Sequence, residues 1–195
     1  MQATMQAMSA SDARRRTVVG RWKMLVVLLV CAAPVIASYY TYYVIRPEGR
    51  TNYGDLVEPS RNVAAIGLAS LHGRWVMLVA SPGACDAGCR ERLYEIRQVR
   101  LTTGKDRDRV ARVWAVADDT VPDPALLAQH EGLVLMRADV DALARQFPAT
   151  PQTRVTDHIY LIDPLGNLMM RFPKDADPSR MKKDLAKLLR ASRVG

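Results

Sequence analysis

Residues 75–89 read Trp-Val-Met-Leu-Val-Ala-Ser-Pro-Gly-Ala-Cys-Asp-Ala-Gly-Cys, and this stretch decides the fold. Trp75 to Ala80 is a continuous apolar run bounded by Gly73 on one side and by Ser81-Pro82-Gly83 on the other. A short run without alternation suits a strand buried on both faces. Helical spacing starts straight after it. Cys85, Cys89, Leu93, Ile96 and Val99 fall on one face of an α-helix. Val113–Ala117 reads as a second buried strand and Leu133–Met136 as a third, with a short helix expected over Asp141–Phe147.

Farther along, Ile159–Ile162 and Leu168–Phe172 flank Asp163-Pro164-Leu165-Gly166. Proline at the second turn position and glycine at the fourth are type I turn chemistry, so these runs predict a β-hairpin. Asp177 followed by Pro178 is the start signal of a last helix, whose buried stripe is Met181, Leu185, Leu188 and Leu189. The order strand–helix–strand–helix–hairpin–helix is α/β, with a parallel portion joined to an antiparallel hairpin. That is the order of a thioredoxin-like fold, assigned to residues 70–195.

Upstream, residues 46–60 hold two prolines and two glycines and read as a linker or extended arm, carried to residue 69. Met24 to Ile45 holds no charged residue, and at about 1.5 Å per residue it spans a bilayer core of about 30 Å. Arg14, Arg15, Arg16, Arg21 and Lys23 precede it, which by the positive-inside rule places residues 1–23 in the cytoplasm. Tyr39, Tyr40, Tyr42 and Tyr43 suit the outer interface. The expectation is a single-pass protein of the inner membrane, touching lipid through residues 24–45, with its C-terminal domain periplasmic or otherwise extracytoplasmic. A cleaved signal peptide after Ala37 and a lipid anchor on Cys31 are weaker readings. The segment is long, and Val30 does not suit a lipidated cysteine.

The 195 residues are 49% apolar, which excludes a disordered chain. Of the net charge of +8, +4 lies in residues 1–23, where five basic residues meet one acidic residue. Membrane topology thus accounts for half the excess, and no nucleic-acid partner is expected. The basic stretch Arg90 to Arg112 has Glu91, Glu95, Asp106 and Asp108 interleaved and reads as a solvated mixed-charge face. His72 and His130 read as exposed loop residues.

Three cysteines cannot make a disulfide-rich scaffold. Cys85 and Cys89, one helical turn apart, point the same way about 6 Å apart along the axis. They can close a disulfide or grip one soft ion. Cys85 at the helix start suits an attacking thiolate, with the more buried Cys89 resolving. A plain structural disulfide is the bland alternative.

The membrane segment, the buried strand, Cys-x3-Cys opening a helix, and Asp157-His158 before Tyr160-Leu161-Ile162-Asp163-Pro164-x-Gly166 together resemble the Sco/SenC family. The resemblance covers roughly residues 70–192. It implies a thioredoxin-like copper chaperone that assists copper-site assembly in cytochrome c oxidase, with the copper-bearing subunit as partner. It implies one copper ion, Cu(I) favoured, on Cys85, Cys89 and His158. Two departures stand out: Asp86-Ala87-Gly88 lacks the family's prolines, and a single residue separates His158 from Tyr160. His158 is therefore open both as a ligand and as an ordinary histidine at a strand start. Thiol–disulfide exchange and a non-catalytic, membrane-tethered assembly factor are the other functions the residues allow. More than one oligomeric state is compatible with the sequence.

Overall fold

The computed structural model describes residues 2–45, 52–63 and 66–192. The chain divides into two compact units, residues 1–50 and 51–195. In the first, helix α1 (Gln2–Tyr40) runs on into a wider π-helical turn at Thr41–Ile45. Its stretch Arg21–Tyr43 has a mean hydropathy of 2.0 with none of it buried, and is long and apolar enough to cross a membrane. The lone free cysteine among the described residues, Cys31, lies on this helix and is exposed.

The second unit is built on one six-stranded sheet. Its strands are β1 (Asp55–Asn62), β2 (Trp75–Ser81), β3 (Val110–Val116), β4 (Leu133–Arg137), β5 (Ile159–Ile162) and β6 (Asn167–Arg171), in spatial order β1-β6-β5-β2-β3-β4. β2, β3 and β4 are parallel, while β2–β5, β5–β6 and β6–β1 pair antiparallel. All seven residues of β2 are buried, because helices cover both faces of the sheet. Trp75, Met77 and Val79 face one core, against α2 (Ala87–Leu101) and α5 (Pro178–Ala191). Val76, Leu78 and Ala80 face the other, with Leu143 of α4 (Val140–Gln146), Phe147 and Tyr160. This is the thioredoxin-like α/β arrangement expected from the order of elements.

The hairpin closes as its turn chemistry requires. Gly166 donates its N–H to the Asp163 carbonyl at 3.0 Å, and the Asp163 carboxylate accepts from the Leu165 and Asn167 N–H groups at 2.9 and 2.7 Å. Asp177 caps α5 by accepting from the Ser179 N–H at 2.8 Å, with Pro178 at the first helical position. The same signal at Asp123-Pro124 opens a further helix, α3 (Pro124–Gln129), which the hydrophobic spacing did not announce because it is only six residues long.

Three expectations need correction. Part of the segment read as a linker is the edge strand β1, which pairs with β6 although its own side chains are mostly exposed. His130 is 5% exposed: it ends α3 with its ring turned inward. Arg112 is 3% exposed, because it lies inside β3 and not on a solvated face.

The chain enters this unit through a charged pin. The buried Asp184 carboxylate on α5 accepts from the Tyr53 and Gly54 N–H groups at 2.6 and 3.0 Å. A side chain at Gly54 would have to displace the buried Met170 side chain, since a Cβ there would stand 2.4 Å from its sulfur. Asp184→Ala leaves both donors unpaired and is expected to cost about 2 kcal/mol or more. Asp184→Asn, which keeps an acceptor, should cost less. Urea unfolding of the two variants checks the order; equal losses would show that packing, not hydrogen bonding, sets the effect.

Candidate functional site

The loop that leaves β2 is shaped by hydrogen bonds to its neighbours. Asp118, at the end of β3, accepts from the Gly83 N–H at 2.7 Å and from the Thr120 hydroxyl at 2.9 Å. These bonds, that to Gly83 foremost, hold its carboxyl below the usual carboxylate range. A Cβ on Gly83 would stand 2.1 Å from the Thr120 carbonyl oxygen, so only glycine lets the two loops meet. Cys85 donates its N–H to the Pro82 carbonyl at 3.1 Å and takes a left-handed φ of 41°. That conformation is costly for a residue with a Cβ.

Cys85 and Cys89 are joined by a disulfide, with Cα atoms 5.2 Å apart. α2 starts at Ala87 with Asp86 as its cap, so Cys85 lies just outside the helix. Cys89 lies in the first turn, where its N–H donates to the Asp86 carboxylate at 2.8 Å. The Ser81 hydroxyl donates to the Cys89 sulfur at 2.8 Å. Exposure does not separate the sulfurs, since Cys85 is 3% exposed and Cys89 0%.

His158 sits between a one-turn 3-10 helix (Val155–Asp157) and β5, and the short approach to Tyr160 draws its ring into the protein, 2% exposed. Both ring nitrogens are engaged. Nδ1 donates to the Phe172 carbonyl at 2.8 Å, which leaves Nε2 to accept from the Thr153 hydroxyl at 2.7 Å. Burial holds the ring's pKa below the ordinary value of 6.5, with nearby Arg171 and Arg92 acting the same way. Among the described residues no group of three His, Cys, Asp or Glu side chains is placed to hold one ion. The disulfide and His158 are instead linked to one cleft of about 570 Å³, lined by Ser81, Asp86, Arg92, Thr153 and Asp157 among others. Ser81 bonds the cysteine pair and Thr153 bonds the histidine. Neither residue carried a sequence signal, because a serine at a strand end and a threonine in a loop are ordinary surface choices. His72 is exposed and precedes the start of β2, at the other end of the strand from Ser81 and the cysteine loop.

Residues 75–192 match the family described as "Transmembrane-like, thioredoxin-like, C-terminal domain". The chain belongs to that family. Among solved structures it is similar to copper-bound yeast Sco1, with 14% identity, a TM-score of 0.51, and coverage of 64% of this chain and 80% of that one. Copper-bound ScoI of Arabidopsis thaliana gives 18% identity and a TM-score of 0.51, over 64% of this chain and 89% of that one. Apo Sco1 of Thermus thermophilus gives 17% identity and a TM-score of 0.54, over 71% of this chain and 97% of that one. At these identities the likeness establishes the Sco-type fold. No curated protein matches the chain.

The buried histidines set an acid limit. His130 is also held below its ordinary pKa, by burial first and by Arg112 and Arg97 next. For both rings the folded state prefers the neutral form, so their contribution to stability is complete above about pH 6.5 and is lost as the pH falls below it. Glu95, pushed up to about 7 by burial, gains stability as the pH falls through the same window, so the histidine effect is read as a difference between variants. Between pH 7.5 and pH 5.5 the oxidised double variant His130→Asn, His158→Asn should shift its urea midpoint less toward instability than the wild type; identical shifts would show that the two rings do not contribute.

Proposed function

We propose that the chain is a membrane-anchored copper chaperone of Sco-like fold. Reduced Cys85 and Cys89 would hold Cu(I), with His158 Nε2 as a third donor. One observation carries this reading: the residues that bond Cys89 and His158, Ser81 and Thr153, line the same cleft. The donor set suits the cargo, because two thiolates and an imidazole select a soft ion. His158 also holds the tautomer of a metal-ligating histidine, with Nδ1–H fixed on a backbone carbonyl and the lone pair on Nε2.

The disulfide offers no thiolate, so loading requires a thiol reductant to supply two electrons while two protons go to the sulfurs. Binding the ion then displaces those protons, and Thr153 must turn its hydroxyl away from Nε2. Delivery would proceed by ligand exchange onto the thiolates of a recipient, and the copper-bearing subunit of cytochrome c oxidase is the recipient we propose. In this scheme residues 1–23 are cytoplasmic, residues 24–45 cross the inner membrane, and the sheet unit that includes edge strand β1 lies outside the cytoplasm.

Thiol–disulfide exchange is the second reading, favoured by the formed Cys85–Cys89 bond at a helix start. In it the reduced pair gives two electrons and two protons to a substrate disulfide, Cys85 attacking and Cys89 resolving, and returns to the bonded form.

Copper titration of the reduced full-length chain in detergent separates the two. One Cu(I) per chain is expected, with near-total loss of tight binding in Cys85→Ser and in Cys89→Ser. His158→Ala should weaken Cu(II) more than Cu(I), which accepts two ligands. A reduced wild-type chain that takes up no copper would leave the exchange reading. For topology, a phosphatase fused after Gly195 should be active only outside the cytoplasm. Activity of a cytoplasmic reporter at the same point would reverse the orientation.

A further inference from the structure

The carboxyl half of α2 and the start of β3 carry a second site. Arg97 and Arg100 of α2, Arg107 of the following loop and Arg112 of β3 converge on a pocket of about 430 Å³. Two acids, Asp108 and Glu131, also line it, so the wall keeps an excess of two positive charges. Asp108 reaches only Arg100, at 3.9 Å, and is itself fully solvated.

Arg112 is the decisive residue. It is buried, and its Nη2 donates to the Glu131 carbonyl, yet its Nε and Nη1 are buried with no hydrogen-bond partner among the described residues. A buried guanidinium with two idle donors is expensive unless an anion meets it. Arg100 spends its Nε on the Val110 carbonyl at 2.7 Å. Burial first, and neighbouring arginines next, lower the pKa of both Arg100 and Arg112; Asp108 offsets this at Arg100, and no carboxylate does so at Arg112.

We propose that this pocket binds a phosphate-bearing anion, gripped by the planar donors of Arg112 at its floor and by Arg97 and Arg107 at its rim. Guanidinium forks match the oxygen spacing of phosphate, and a polyvalent anion answers the surplus charge best. The volume admits a phosphate or pyrophosphate group, or the headgroup of an anionic phospholipid, and these share the chemistry recognised.

The test uses the full-length chain in a nonionic detergent, titrated calorimetrically with inorganic phosphate, with pyrophosphate, and with dihexanoyl phosphatidylglycerol against dihexanoyl phosphatidylcholine. Saturable binding that weakens with added salt is expected for at least one phosphate probe and not for the zwitterionic lipid. Arg97→Gln and Arg107→Gln, at partly or fully exposed positions, should each weaken it about tenfold. Arg112→Met should abolish it in protein that retains its circular dichroism spectrum. Binding of inorganic phosphate or pyrophosphate assigns a free anion; binding of phosphatidylglycerol alone assigns a headgroup. No binding by any probe, or binding unchanged in Arg97→Gln and Arg107→Gln, overturns the proposal.

Discussion

The sheet unit depends on one physical constraint: the burial of Trp75–Ser81 on both faces. A strand with water on neither side must have each backbone group paired in the sheet and each side chain matched to a core. β3 supplies parallel pairing along one edge and β5 antiparallel pairing along the other. Ser81, the last residue, ties the strand to everything functional. Its carbonyl accepts from the Ala117 N–H and the Trp114 indole, at 3.0 and 3.3 Å, while its hydroxyl reaches Cys89. The cysteine loop thus leaves the carboxyl end of the strand where parallel and antiparallel pairing meet. α/β sheets place their binding crevices at the carboxyl ends of strands.

Chemistry at this crevice is kept under cover. The disulfide is buried, and the imidazole is tied at both nitrogens, yet each is one side chain away from open space. In the copper reading proposed above, such an arrangement would guard a soft donor set from chance partners, with access through small rotations of Ser81 and Thr153.

Much of this was legible in the residues. Trp75–Ala80, the Cys85–Val99 spacing and Asp163–Gly166 announced a buried strand, a helix and a turn, since each rests on local periodicity or turn stereochemistry. What escaped left no periodic or turn signal. Nothing near Thr153 says that it will sit 2.7 Å from His158, because that meeting is made by the turn at 155–157 and not by spacing. Arg112 looked like part of a charged surface, as charge pattern alone cannot tell a strand interior from a helix face. β1 was hidden by Pro59 and by its polar, exposed residues, which do suit an edge. His130 was misjudged because α3 is too short to show a period.

The contact between Gly83 and Thr120 has a consequence for variation. Position 83 is closed to any side chain, and the loops it joins cannot drift apart without releasing both Asp118 and the approach to Cys85. Ala84 and Ala87, by contrast, face solvent beside it. Side chains can therefore be exchanged at 84 and 87 without disturbing the seam between the two loops, whereas any side chain at 83 forces that seam open.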